Sequence, residues 1–179
     1  MGAPFTTAVL APNRKIAIAA GCVVCMVAAW SIGVPNLAHG PPHAQDLALS
    51  EQAALVVNLV LEQRSLEEGC FLSLPDGEGV ELYAKKWNES RAQLADAIAR
   101  VSELDLNEQD RHTVRQIAAD YRVHVDGYMR VMSMIHSGKI RTAQQARAQI
   151  SIYQDSARRM EANATAVSAR ARQRIGKAI

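Results

Sequence analysis

The sequence predicts an all-α protein: an N-terminal transmembrane helix followed by an elongated antiparallel up-down-up-down four-helix bundle. Three observations carry this expectation. Hydrophobic residues make up 49% of the 179 and aromatics only 4%, a balance that suits helices, because long strands draw on β-branched and aromatic side chains. A charge-free run, IAIAAGCVVCMVAAWSIGV, occupies residues 16 to 34. Beyond it, apolar residues recur at alternating spacings of three and four, the period of a helix that buries one stripe.

The apolar run is long enough to span a bilayer, since residues 16 to 34 at helical rise cover roughly 28 Å. A cleaved signal peptide is the alternative, with NLAHG as the processing site, but its apolar core would exceed the usual ~7–15 residues. Arg14 and Lys15 sit in the tail (residues 1–15), and the far side carries no charge until Asp46. The positive-inside bias therefore predicts an inner-membrane protein with a cytoplasmic N-terminus and an extracytoplasmic, periplasmic bundle. Trp30 fits an interfacial anchor. Pro35, Pro41 and Pro42 mark residues 35–45 as a linker.

The bundle is expected over residues 46–179, with helices at about 46–73, 80–104, 107–137 and 142–179. LPDGEG (residues 74–79) supplies proline and glycine for the first turn. Asn107 stands where a cap for the third helix belongs, with Asp110 three residues on. That helix carries a seam of Val114, Ile117, Tyr121, Val125, Tyr128, Met132 and Ile135, and ends at His136-Ser137-Gly138, where glycine suits a left-handed cap. Thr142 caps the fourth, whose seam runs Ala146, Ile150, Tyr153, Ala157, Met160, Ala164, Val167, Ala171. Short connections between long helices imply antiparallel neighbours.

Several chemistries are excluded. A net charge of +2 without basic clusters interleaved with aromatics gives no nucleic-acid footprint. Cys22 and Cys25 form a CxxC inside the apolar run; with no second pair they read as packing residues, as does the single Cys70. His112, His124 and His136 recur every twelve residues, about 18 Å apart on a helix, too far to share a metal, and read as surface residues. No nucleophile–base pairing, phosphate loop or metal cluster is evident, so neither an enzyme nor a cofactor is expected.

Two groups of residues are candidates for binding a small ligand, an anion or organic acid. Arg64 on the first helix, near Glu67 and reinforced by Lys85 or Lys86, offers a planar fork suited to a carboxylate. The competing reading is a solvated Arg64–Glu68 pair at i,i+4. Tyr83, Trp87, Tyr128 and Tyr153 fall in one half of the bundle, where their spacing fits core packing and where hydroxyls and an indole could also line a pocket between helices.

These residues also resemble a known family. Arg64, Glu67, Phe71 and Leu72, followed by Tyr83 and Trp87, are similar to the R-x-x-E-K-D-F-F-L and Y…W run of bacterial methyl-accepting chemotaxis proteins and related histidine-kinase sensors. Ile135, Gly138, Ile140, Thr142, Ala146, Ile150 and Tyr153 resemble a second segment of that family. The resemblance implies a membrane-anchored ligand-sensing input domain that pairs as a parallel homodimer. Glu68, Gly69 and Cys70 depart from the family's usual Lys, Asp and Phe, and Gln154 from its Lys. With Arg64 the only arginine expected on the first helix, the amino-acid ligand class is not implied. The chain also lacks the second membrane helix, HAMP relay and signalling hairpin, which implies a fragment or a truncated relative. The alternative is an anchored structural or protein-interaction bundle with no small ligand.

Overall fold

The computed structural model describes residues 42–75 and 77–177; the expected tail, membrane helix and CxxC lie outside them. Among the described residues all regular structure is helical, and no helix is long and apolar enough to cross a membrane. The elements are α1 (Pro42–Leu72), α2 (Glu78–Glu103), α3 (Glu108–His136), α4 (Ala143–Ile150) and α5 (Gln154–Lys177), with one 3-10 turn, Ser151–Tyr153, between α4 and α5.

Local chemistry explains the ends. Helix α1 reaches back into the stretch expected as a linker, because proline's fixed φ is compatible with a helix's first turn. Asn107 Oδ1 accepts from the Asp110 backbone N–H at 2.9 Å, and its amide donates to Asp110 Oδ2 at 2.8 Å. Thr142 and Gln145 close a full capping box. Gly77 and Gly138 turn the chain with φ of +74° and +71°, a region that costs an L side chain about 1 kcal/mol or more.

The expected single helix over 142–179 is instead broken. Ser151 Oγ bonds the Ala148 carbonyl at 2.8 Å, and Ser156 Oγ the Tyr153 carbonyl at 2.5 Å. Such hydroxyls compete for carbonyls of the helical ladder, β-branched Ile152 adds low helix propensity, and no residue of the 3-10 turn is buried.

Helix α1 packs against both α2 and α5, and α5 also against α3. Three apolar clusters follow one another along the bundle. At one end Leu49 and Ala53 meet Val101, Val114, Val167 and Ala171. In the middle Val56, Val60, Leu94, Ile117, Met160 and Ala164 pack together. At the other end Phe71 and Cys70 meet Val80, Trp87, Tyr128, Val131, Ala146 and Ile150. The start of α1 thus pairs with the end of α2, the start of α3 and the end of α5, as alternating helix directions require.

Arginines of α5 tie it to its neighbours. Arg159 clasps Asp120 of α3 through Nε (3.0 Å) and Nη2 (2.5 Å). Arg170 and Arg174 both reach the fully buried Asp110, at 2.7 and 3.0 Å, and Arg174 also bonds Asp46 of α1 at 2.8 Å.

Candidate functional site

Toward its C-terminal end α1 buries Gln63, Glu67, Cys70 and Phe71, spaced at i, i+4, i+7 and i+8 and so on one helical face. Trp87 of α2 and His124 and Tyr128 of α3 close over that face. The Trp87 indole donates from Nε1 to Glu67 Oε1 at 3.1 Å and stacks on Tyr128 with ring centroids 3.9 Å apart. His124 Nε2 stands 3.1 Å from the same Glu67 oxygen, at ion-pair distance but without the alignment of a hydrogen bond.

This cluster is incompletely satisfied. Gln63 is fully buried, yet both of its amide atoms lack a hydrogen-bond partner, as does His124 Nδ1, and the Tyr128 hydroxyl has only the Cys70 thiol beside it. Buried polar groups are paired in the great majority of cases, so several orphans in one layer mark a departure from simple packing. Burial pushes the Tyr128 hydroxyl far above its ordinary range and the Cys70 thiol up as well, which keeps both neutral.

Glu67 belongs also to a surface cleft of about 440 Å³, lined by Leu61, Arg64, Ser65, Glu67, Glu68 and Phe71 of α1 with Arg147, Ile150 and Gln154 beside the 3-10 turn. That volume lies within the ~300–1,000 Å³ common for small-molecule sites. Its charged rim is already paired. Arg147 grips both Glu68 oxygens, through Nε at 3.1 Å and through Nη2, and this bond holds the Glu68 carboxyl below the usual carboxylate range. Arg64 lies 3.5 Å from Glu161 of α5.

The structure gathers some of the expected residues and separates others. Arg64 and Glu67 share the cleft, and Glu67, Trp87 and Tyr128 share the buried cluster behind it. Tyr83 lies over Gly69, where a Cβ would run into its ring, and exposed Lys86 sits 5.9 Å above that ring; neither lines the cleft. Tyr153 packs on Gly127, again where no Cβ fits. The Arg64–Glu68 pair does not form, because each residue finds an opposite charge on another segment.

His124, expected at the surface, is 1% exposed, while His112 and His136 are exposed. The buried face of α3 keeps Val114, Ile117, Tyr128 and Met132 of the expected seam and adds Asp110, Asp120, His124 and Val131, with Tyr121, Val125 and Ile135 partly buried at its edge. A reading that assigns polar residues to solvent cannot see this. Spacing could have shown it, since 117, 120, 124, 128 and 131 form an equally regular stripe. Arg147 and Gln63 were missed for lack of any local signal. Among the described residues no group of His, Cys, Asp and Glu is arranged to hold a metal.

Comparison of the chain with family models, with curated proteins and with solved structures finds no match.

Proposed function

We propose that the chain is the ligand-sensing input domain of a membrane-anchored, chemoreceptor-like signal transducer, binding a small anion or organic acid in the cleft between α1 and the α4–α5 junction. The observation that carries this reading is Glu67. It lines a solvent-open cleft flanked by two arginines, and it holds the indole of a buried aromatic cluster, so whatever enters the cleft meets a group wired to the core. Arg64 and Arg147 supply the planar donors an acid group needs. Arg64 and Glu67 belong to the motif that resembles the chemotaxis family. In this reading residues 16–34 anchor the protein in the inner membrane, the elongated up-down-up-down bundle stands in the extracytoplasmic space, and two chains pair in parallel. Ligand binding shifts α5 along or about its axis.

Thermal-shift screening of the full-length chain against organic acids and inorganic anions tests the proposal. A ligand at millimolar concentration is expected to raise Tm, by mass action on the folded state, and the shift should vanish in Arg147→Ala and persist in Lys86→Ala. No shift with any compound sinks the reading.

A second reading has its own observation. Leu47, Leu61 and Leu72 are 52%, 44% and 57% exposed on α1, at spacings that keep them near one face of the helix, which suits a bundle that presents α1 to a partner protein and takes no small ligand. Partner capture abolished by Leu61→Glu, with no thermal shift from any small molecule, would favour it.

A further inference from the structure

The cleft has one wall on a long, continuous helix and the other on a short, interrupted segment, and the two walls are not mechanically equivalent. Helix α4 has eight residues, fewer than the ~12–15 an isolated helix needs to hold itself in water, so its order depends on what it touches. It is bounded on one side by the left-handed Gly138 and the Thr142 cap. On the other side lies the 3-10 turn Ser151–Tyr153, which buries no residue. Short 3-10 stretches within a helix are frequent hinge positions. Two side chains of α4, Ala146 and Ile150, enter the core, and among the described residues its ion pair to α1 is Arg147–Glu68 across the cleft rim, with both side chains nearly half exposed. The chain is anchored again at the turn's last residue, by Tyr153 on Gly127, and past it by Arg159 on Asp120.

We propose that α4 is a latch over the cleft, swinging about residues 151–153 by itself and ahead of any shift of α5, and that an incoming acid opens it by taking Arg147 from Glu68. This rests on the reading of the cleft as a ligand site, and it adds which part moves and which bond is exchanged. Charge balance favours the exchange: the ligand's acid group replaces the Glu68 carboxylate on Arg147 one for one, so no guanidinium is left unpaired. The freed Glu68, on the exposed rim, returns to water. Ile150 lines the cleft and also belongs to the apolar cluster that holds Trp87 and Tyr128, so movement of α4 alters the packing around the Glu67–Trp87 hydrogen bond.

Hydrogen–deuterium exchange of the full-length chain, without any ligand, tests the latch. Amides of 143–150 are expected to exchange at least ~10-fold faster than those of 157–171, as a separate opening unit does. Glu68→Gln should speed α4 by roughly threefold to fivefold, the size of one exposed ion pair, with α5 unchanged. Ile152→Ala, which favours a continuous helix through the hinge, should slow α4 toward the rate of α5. A single shared rate for α4 and α5, or a Glu68→Gln effect that is absent or that spreads to α5, overturns the proposal. The test is separate from the ligand screen. Fast, Glu68-dependent exchange with no hit in the screen would leave the latch and remove the ligand reading. A hit that leaves α4 exchange untouched would keep the ligand and remove the latch.

Discussion

The two ends of the bundle solve the problem of buried polarity in opposite ways. Where α1 begins and α5 ends, Asp110 is fully buried and meets two arginines, and Ser50 bonds both Ser168 and Arg172. Small residues of α5, Ser168 and Ala171, are buried at this end. Where α1 ends, Trp87 and Tyr128 fill the core, and Gln63 and His124 keep four unpaired polar atoms around one carboxylate, against Gln52 Oε1 alone near the first end among the described residues. A buried donor or acceptor without a partner costs about 1–3 kcal/mol, and it persists only if the layer serves something other than stability. The first end is built to hold the bundle together; the second carries the cleft.

That contrast makes the ion-paired end the more fragile to mutation. Asp110→Ala leaves Arg170 and Arg174 facing a void and should cost about 3 kcal/mol, read as a fall in the denaturation midpoint with an unchanged slope. A loss under about 1 kcal/mol would mean that solvent already screens the pair and that the two ends do not differ as argued. Next in size, Gly127→Ala drives a methyl into the Tyr153 ring and should cost roughly 2 kcal/mol as an overpacking change, measured the same way. Because Tyr153 closes the hinge, this variant should also speed exchange in α4.

How much of this was legible from sequence follows the range of the interactions. The Asn107 and Thr142 caps, the Gly138 turn and the seam of α5 are decided within a few residues, and spacing alone exposes them. The apolar seam of α3 is legible but the polar part of its buried face is not, because the rule that polar residues turn to water fails where Glu67, on another helix, is there to meet His124. The partners of Arg64 and Glu68 were equally hidden. Locally they are each other's i,i+4 neighbours, a pairing worth a few tenths of a kcal/mol. Glu161 and Arg147 compete from 97 and 79 positions away, and no local pattern announces them.

Gln63 sharpens the comparison through a change of sign. Gln63→Leu removes two orphaned amide atoms and keeps the volume, so it should stabilise the fold by about 1 kcal/mol. The matching change at the other end, Ser168→Ala, removes a bonded hydroxyl and should destabilise by about 0.5–1 kcal/mol. Measured side by side in urea, opposite signs support a satisfied end and a strained one. If Gln63→Leu also destabilises, the amide has a partner such as an internal water, and the contrast between the ends collapses.

The smallest expected effect is on alkaline stability. Desolvation raises the Cys70 thiol above its ordinary value of 9.0, and burial raises the Tyr128 hydroxyl above 10.0. The sign follows from proton counting. Below pH 8 both groups keep their protons, folded or unfolded, and add no pH dependence. As pH climbs through 9 the unfolded chain releases the Cys70 proton while the folded chain retains it, so the unfolded state gains and stability falls. Between pH 8 and 9.5 the two groups together should lower stability, most of it through Cys70, whose ordinary value lies in that interval. Cys70→Ala removes that share, so the variant's stability should decline less steeply than wild type over this interval. Parallel curves would show that the thiol ionises as readily inside the bundle as outside, and that the aromatic end is wetter than its packing implies.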